Sequence, residues 1–328
     1  MSKSLSFSRL GCFFLFLLPV LGQAQTTKLK PAGKLSATAA AQIHQIEDTL
    51  GILVYAVVND SVETERFAAC RALIPALVRA LKVENSFRYP FERLSGLSIL
   101  APPDSSFRII TWQLFVNDST YRYYGAIQRN SQELVIFPLR DKRSELDYRP
   151  VHDQLTPENW YGALYYNLRQ FDTKEGRKYL LFGYDAFTFF EKRKVIDVLS
   201  FDKTGQVVFG APVFDRTNPP PGPPEQRLLF EYSAETSVRV NWDEVYQMVL
   251  FDHLIPFPSP FGRGITQVVD GSYDGLKLEK GRWKYIDQVF HDAQETPPFP
   301  NPVLDNRKGR DIMGREKKVK VVGAKNRP

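Results

Sequence analysis

The chain of 328 residues is short of exactly those residues on which most small-site chemistry depends. It has two cysteines, four histidines and three methionines. One cysteine, Cys12, lies in an apolar N-terminal run, so only Cys70 remains for the body and no intramolecular disulfide can staple it. The histidines, His44, His152, His253 and His291, are scattered, with no H-x-x-x-H or H-E-x-x-H spacing for a helical zinc site. There is no G-x-x-x-x-G-K-[ST] or G-x-G-x-x-G phosphate loop and no G-x-S-x-G nucleophile elbow. No cofactor is implied. No apolar run beyond the N-terminus reaches the roughly 20 residues needed to span a bilayer.

What is present is a globular composition: 43% hydrophobic, 24% charged and 13% aromatic. The N-terminus reads as a signal peptide. Lys3 and Arg9 precede the run Leu10 to Leu21, and the small residues Gly22 and Ala24 follow. Cleavage is expected between Ala24 and Gln25, which makes the protein an exported one, periplasmic or extracellular. Cys12 sits at the beginning of the apolar run, where a lipobox would put it at the end, so lipidation is rejected.

The formal charge of +6 suggests a nucleic-acid partner until it is divided. Lys3 and Arg9 carry +2. The tail 307–328 holds nine bases against Asp311 and Glu316, hence +7. The body, 25–306, is left at −3, which is no basic face for nucleic acid. The plain reading of the tail is a solvated, disordered end. The sharper one is a weak electrostatic contact with an anionic surface.

Residues 25–103 read as a linker followed by a helical segment. Ile43, Ile46, Leu50, Leu53 and Val54 recur at three- and four-residue steps, which predicts a helix over 37–58 weakened by Gly51. Asp60 and Glu63 have capping-box spacing ahead of the stripe Phe67, Cys70, Leu73, Ile74, Leu77 and Leu81, with Pro75 inside it. Cys70 on that stripe reads as a buried structural residue.

From 104 to 306 the texture is that of strands: 107–116, 121–128, 133–139, 178–184, 194–201, 206–210, 226–232, 236–241, 245–251, 275–279 and 282–289. Asp202-Lys-Thr-Gly205 and Glu279-Lys-Gly281 read as tight turns. Thr156-Pro157, with Trp160, Leu164 and Leu168, predicts one interrupting helix to about Phe171. The five prolines between Asn218 and Pro224 mark an exposed loop. The fold class is therefore α+β: N-terminal helices, then an antiparallel β-meander closed as a twisted sheet, half-barrel or sandwich.

Three constellations are candidates for function. Asp252-His253 ends an apolar strand, where a carboxylate can orient an imidazole, although strand neighbours face opposite ways. Asp270 and Asp274, spaced by glycine, offer oxygens to Ca²⁺ without meeting the EF-hand pattern; the same residues make ordinary turns. Trp112, Tyr121, Tyr123 and Tyr124 place rings on both faces of one hairpin, where exposed rings stack on sugars or peptides and buried ones fill a core.

The segments Tyr179 to Asp185, Lys194 to Asp202, Val208 to Phe214 and Asp270 to Gly275 through Trp283 resemble exported Bacteroidota proteins of no assigned activity, over about residues 150–290. The resemblance implies export in a two-membrane bacterium and carries no catalytic residue. The functional expectation is a non-enzymatic binding or envelope-associated module. Its alternative is an exported hydrolase acting on glycan or peptide through carboxylates of the β-rich part.

Overall fold

The computed structural model describes residues 29–117, 119–216, 222–259, 262 and 264–290. The N-terminal segment read as a signal peptide, with Ala24 and Gln25, residues 218–221 of the proline loop and the tail 307–328 lie outside them. The fold is mixed α+β, two helices near the N-terminus and mostly antiparallel open sheets.

Helix α1 (Ala37–Asn59) starts at Ser36, whose Oγ accepts from Ala39 N at 3.1 Å. It buries Ile43, Glu47, Leu50, Val54 and Val57, one stripe of a 3.6-residue period. It runs through Gly51, which faces open space. Helix α2 (Glu63–Leu81) runs through Pro75 and buries Cys70, Leu73 and Leu77, while Ile74 is exposed. Asp60 accepts from Val62 N at 2.8 Å, two residues on, rather than closing a box with Glu63.

The first sheet has the order β1 (Ser98–Leu100), β2 (Phe107–Asn117), β3 (Thr120–Arg129), β4 (Ile136–Arg140). The second contains β5 (Leu164–Thr173), β6 (Gly176–Asp185), β7 (Glu191–Phe201), β8 (Val207–Phe209) and β10 (Leu228–Ser233). Its order is β10-β7-β6-β5, with β8 beside β7. The third contains β9 (Phe214–Asp215), β11 (Val240–Asp243), β12 (Met248–Pro258), β13 (Ile265–Glu279) and β14 (Arg282–Ile286), in the order β11-β12-β13-β14-β9. Among the described strand pairs only β14/β9 is parallel, and an isolated parallel bridge joins Asp141 to Trp160.

Side-chain alternation stacks these layers. In β2, Ile110, Trp112 and Leu114 pack with the helices, while Phe107 and Ile109 pack with Tyr179, Leu181, Val195 and Leu199 of the second sheet. The other face of that sheet, Leu180, Phe182, Ile196 and Val198, packs with Val249, Phe251, Leu276 and Trp283 of the third. Strands β2, β6 and β7 are thus covered on both faces, which explains their near-continuous apolar sequence.

The helix predicted over 156–171 is absent. A single 3₁₀ turn, Pro157–Asn159, is followed by β5. The start signal was sound, since Asn159 Oδ1 accepts from Thr156 N and Oγ1. The chain is already extended at Trp160 (φ −60°, ψ 143°), and pairing with β6 from Leu164 to Thr173 takes over. The steps from Trp160 to Leu164 to Leu168 are four residues, an even number that fits a strand's period of two in sequence as well, although β5 then shifts register between Tyr165 and Asn167.

Candidate functional site

Two clefts gather polar groups. The first lies on the third sheet. β12 and β13 pair in register as far as Asp252↔Tyr273 and resume at Leu254↔Val269. The irregularity leaves His253 without a ladder partner and folds Asp270-Gly271-Ser272 into a kink, Gly271 taking φ 91°. The Asp-Gly turn expected at 270–275 is therefore a bulge inside one strand, and Asp270 Oδ1 accepts from Ser272 N and Oγ at 2.9 and 2.7 Å.

The irregularity also exchanges the partners suggested by sequence. Asp252 accepts from Arg239 N and does not pair with His253. His253 Nδ1 instead lies 2.9 Å from Asp274 Oδ2. Asp274, 2% exposed, also accepts from the Tyr285 hydroxyl and, at 3.0 Å, from Gln288 N. Asp287, which no motif pointed to, completes a group in which one ligand atom each of His253, Asp274 and Asp287 lies within 4.8 Å of the others. The hydrogen bond to Asp274 raises the His253 pKa above its ordinary value, and the charges of Asp274, Asp270 and Asp287 add to it. Burial, with Asp274, pushes the Tyr285 hydroxyl up as well.

The cleft beside this group has a volume of about 310 Å³ and is walled by Arg149, Arg216, Glu231, Phe251, Gln267 and Tyr285. No serine, threonine or cysteine lines it among the described residues. Its charged walls are committed. Glu231 Oε2 accepts from Arg193 at 2.7 and 2.9 Å, Arg216 bonds Glu225 at 2.8 Å, and Arg149 donates to Leu229 O at 3.0 Å.

The second cleft, of about 500 Å³, opens where β4 ends and β3 continues. Tyr121, Arg122, Tyr124, Arg140 and Arg143 line it. Asp141 caps the uncovered edge of β3 by accepting from Tyr123 N at 3.0 Å and from Arg143 N at 3.1 Å. Burial raises its carboxyl. Among the aromatic candidates, Trp112 and Tyr123 are core residues, 3% and 2% exposed. Trp112 stacks on Tyr124 with ring centroids 5.6 Å apart. The Tyr123 hydroxyl accepts from Ala186 N at 2.7 Å and reaches Asp185 Oδ1 at 3.3 Å. Tyr121 and Tyr124 are half-buried, and Arg122 and Arg140 are exposed. Arg122 lies over the Phe67 ring at 5.4 Å, and neither it nor Arg140 has a carboxylate partner among the described residues.

No family model, curated protein or solved structure matches this chain. No helix among the described residues is long and apolar enough to cross a membrane.

Proposed function

We propose that this is an exported, non-enzymatic binding module, and that its Tyr121–Arg140 cleft takes an anionic ligand with a ring face, best matched by an acidic saccharide. The supporting observation is the pair of exposed guanidiniums, Arg122 and Arg140, without a carboxylate partner among the described residues, beside Tyr121 and Tyr124. A guanidinium fork matches a carboxylate or sulfate, and a tyrosine ring covers the apolar face of a sugar. Titration with an acidic oligosaccharide and its neutral counterpart tests this. Binding of the acidic form only, weakened about tenfold in Arg140→Ala, is expected, the worth of one charge-assisted contact. Equal affinity of wild type and variant, or no binding, defeats the reading. Export requires a mature N-terminus at Gln25, which N-terminal sequencing of secreted material reads directly. The tail 307–328 adds weak contact with anionic surfaces. Equal binding to anionic vesicles with and without the tail would remove that contact.

A second reading, hydrolysis, is favoured by Glu231 of β10, Asp252 of β12 and Asp274 of β13 converging with His253 on the other cleft. Against it, each of these carboxylates already accepts from the protein's own donors. Turnover of any glycan or peptide polymer, lost in His253→Gln, would establish it over the binding module.

A further inference from the structure

Four carboxylates are buried among the described residues: Glu47, Asp185, Asp197 and Asp274. Three of them face a guanidinium. Glu47 has Arg93 at 3.0 Å, Asp197 has Arg227 at 3.2 Å, and Asp185 has Arg143. Asp274 has none. Its partners are His253 Nδ1, the Tyr285 hydroxyl and Gln288 N. A carboxylate removed from water needs a cation or a full set of donors, and buried charges are paired or coordinate metals. Asp274 stands where the other three have a guanidinium, and two residues of metal-ligating type, His253 and Asp287, stand beside it.

We propose that His253, Asp274 and Asp287 bind a divalent transition-metal ion of the Zn²⁺ class, with a coordination position open to the adjoining cleft.

One ligand atom from each of the three lies within 4.8 Å of the other two. Two donors on a tetrahedral ion at about 2.1 Å stand roughly 3.4 Å apart. The set therefore closes with a shift of under about 1.5 Å, and exposed Asp287 has room to make it. Tyr285 and Gln288 N already hold Asp274, as outer-shell partners hold a metal-bound carboxylate. The segment carrying Asp287 is fixed to β13 by Gln288 N and by Val289 N, which donates to Tyr273 O at 2.7 Å. One imidazole and two carboxylates suit Zn²⁺ or Mn²⁺ better than Ca²⁺, which takes six to eight oxygens. Asp270, the other half of the candidate Ca²⁺ pair with Asp274, is turned onto Ser272 and is left out of this set. This inference is independent of the saccharide reading, which concerns the other cleft.

The full chain is titrated with Zn²⁺ by calorimetry, with Ca²⁺ in a parallel arm, and loaded with Co²⁺ for its visible spectrum. One Zn²⁺ per chain is expected. Affinity should fall by at least about tenfold in both His253→Gln and Asp287→Asn, with loss of the Co²⁺ bands. Asp287 is exposed, so its asparagine variant tests the site without touching the core. No Zn²⁺ binding below about 1 mM, retained affinity in either variant, or equally tight Ca²⁺ binding overturns the proposal.

Discussion

Asp197 of the second sheet and Asp274 of the third are both strand carboxylates with almost no exposure, yet their surroundings differ in kind. Asp197 is answered by Arg227, itself fully buried, whose other nitrogens donate to the carbonyls of Pro150, Asp153 and Phe209. Burial pushes the Asp197 carboxyl up, and Arg227 opposes that. Asp274 is answered by an imidazole at the wall of a cleft. A permanent cation sealed in a core holds strands together. A removable counter-charge beside open volume leaves a place that something else can occupy. The same residue type is scaffold in one sheet and, under the metal proposal, a ligand in the next.

If that distinction is right, the sealed centre is by far the costlier to break. Arg227→Ala leaves Asp197 charged and unpaired and strips three carbonyls of a donor. A loss of about 3–5 kcal/mol in urea unfolding is expected. Replacing Arg227 and Asp197 together by leucine should cost much less, because the desolvation penalty goes with the charges. A single-variant loss under about 1 kcal/mol would erase the contrast.

Asp185 tests the intermediate case. Burial raises its carboxyl, but Arg143 is not its only support. Tyr161 donates at 2.9 Å and Phe187 N at 2.8 Å, and Arg193 lies nearby, stacked on Phe187 at 3.5 Å. Arg143→Ala should therefore cost about 2 kcal/mol, less than Arg227→Ala. An equal or larger loss would show that the donors around Asp185 do not share the load.

The contrast between the sheets was only partly legible in the sequence. Helical stripes and hairpin turns were readable because their periods are local: Asp202 with Gly205 at φ 83° turns the chain as its residue types require. From Leu164 onward spacings of four fit either period, and only pairing with β6 decides. Asp252, His253, Asp270 and Asp274 stand out in the sequence, but their pairing depends on where β12 and β13 slip register, which is a property of two strands together. Asp287 carried no signal, since it meets the others only after β14 returns to the cleft. Trp112 and Tyr123 were readable as hairpin rings, but exposure depends on layers contributed by distant sequence.

His253→Gln belongs at the small end of the series. The glutamine keeps a donor for Asp274, while Tyr285 and Gln288 N keep theirs. A loss of about 1 kcal/mol or less is expected in urea unfolding. A loss comparable to that of Arg227→Ala would make His253 part of the scaffold and remove the contrast on which the site rests.

The smallest effect belongs to the exposed version of the same chemistry. Asp215 on β9 and Arg282 on β14 pair at about half exposure, and the guanidinium holds the Asp215 carboxyl below its usual range. Because the folded pKa is depressed, the stability it adds is present above the unfolded value, near 3.9, and is lost as pH falls through the folded one. Solvent screening limits it to under about 1 kcal/mol. Wild type should therefore exceed Asp215→Asn slightly in urea unfolding at pH 5 to 7, with the difference closing below about pH 4 and shrinking in high salt. A difference as large as that for Arg227→Ala would mean that burial is not what separates these pairs. A difference that grows on acidification would reverse the sign of the linkage and with it the assignment of Arg282 as the partner of Asp215.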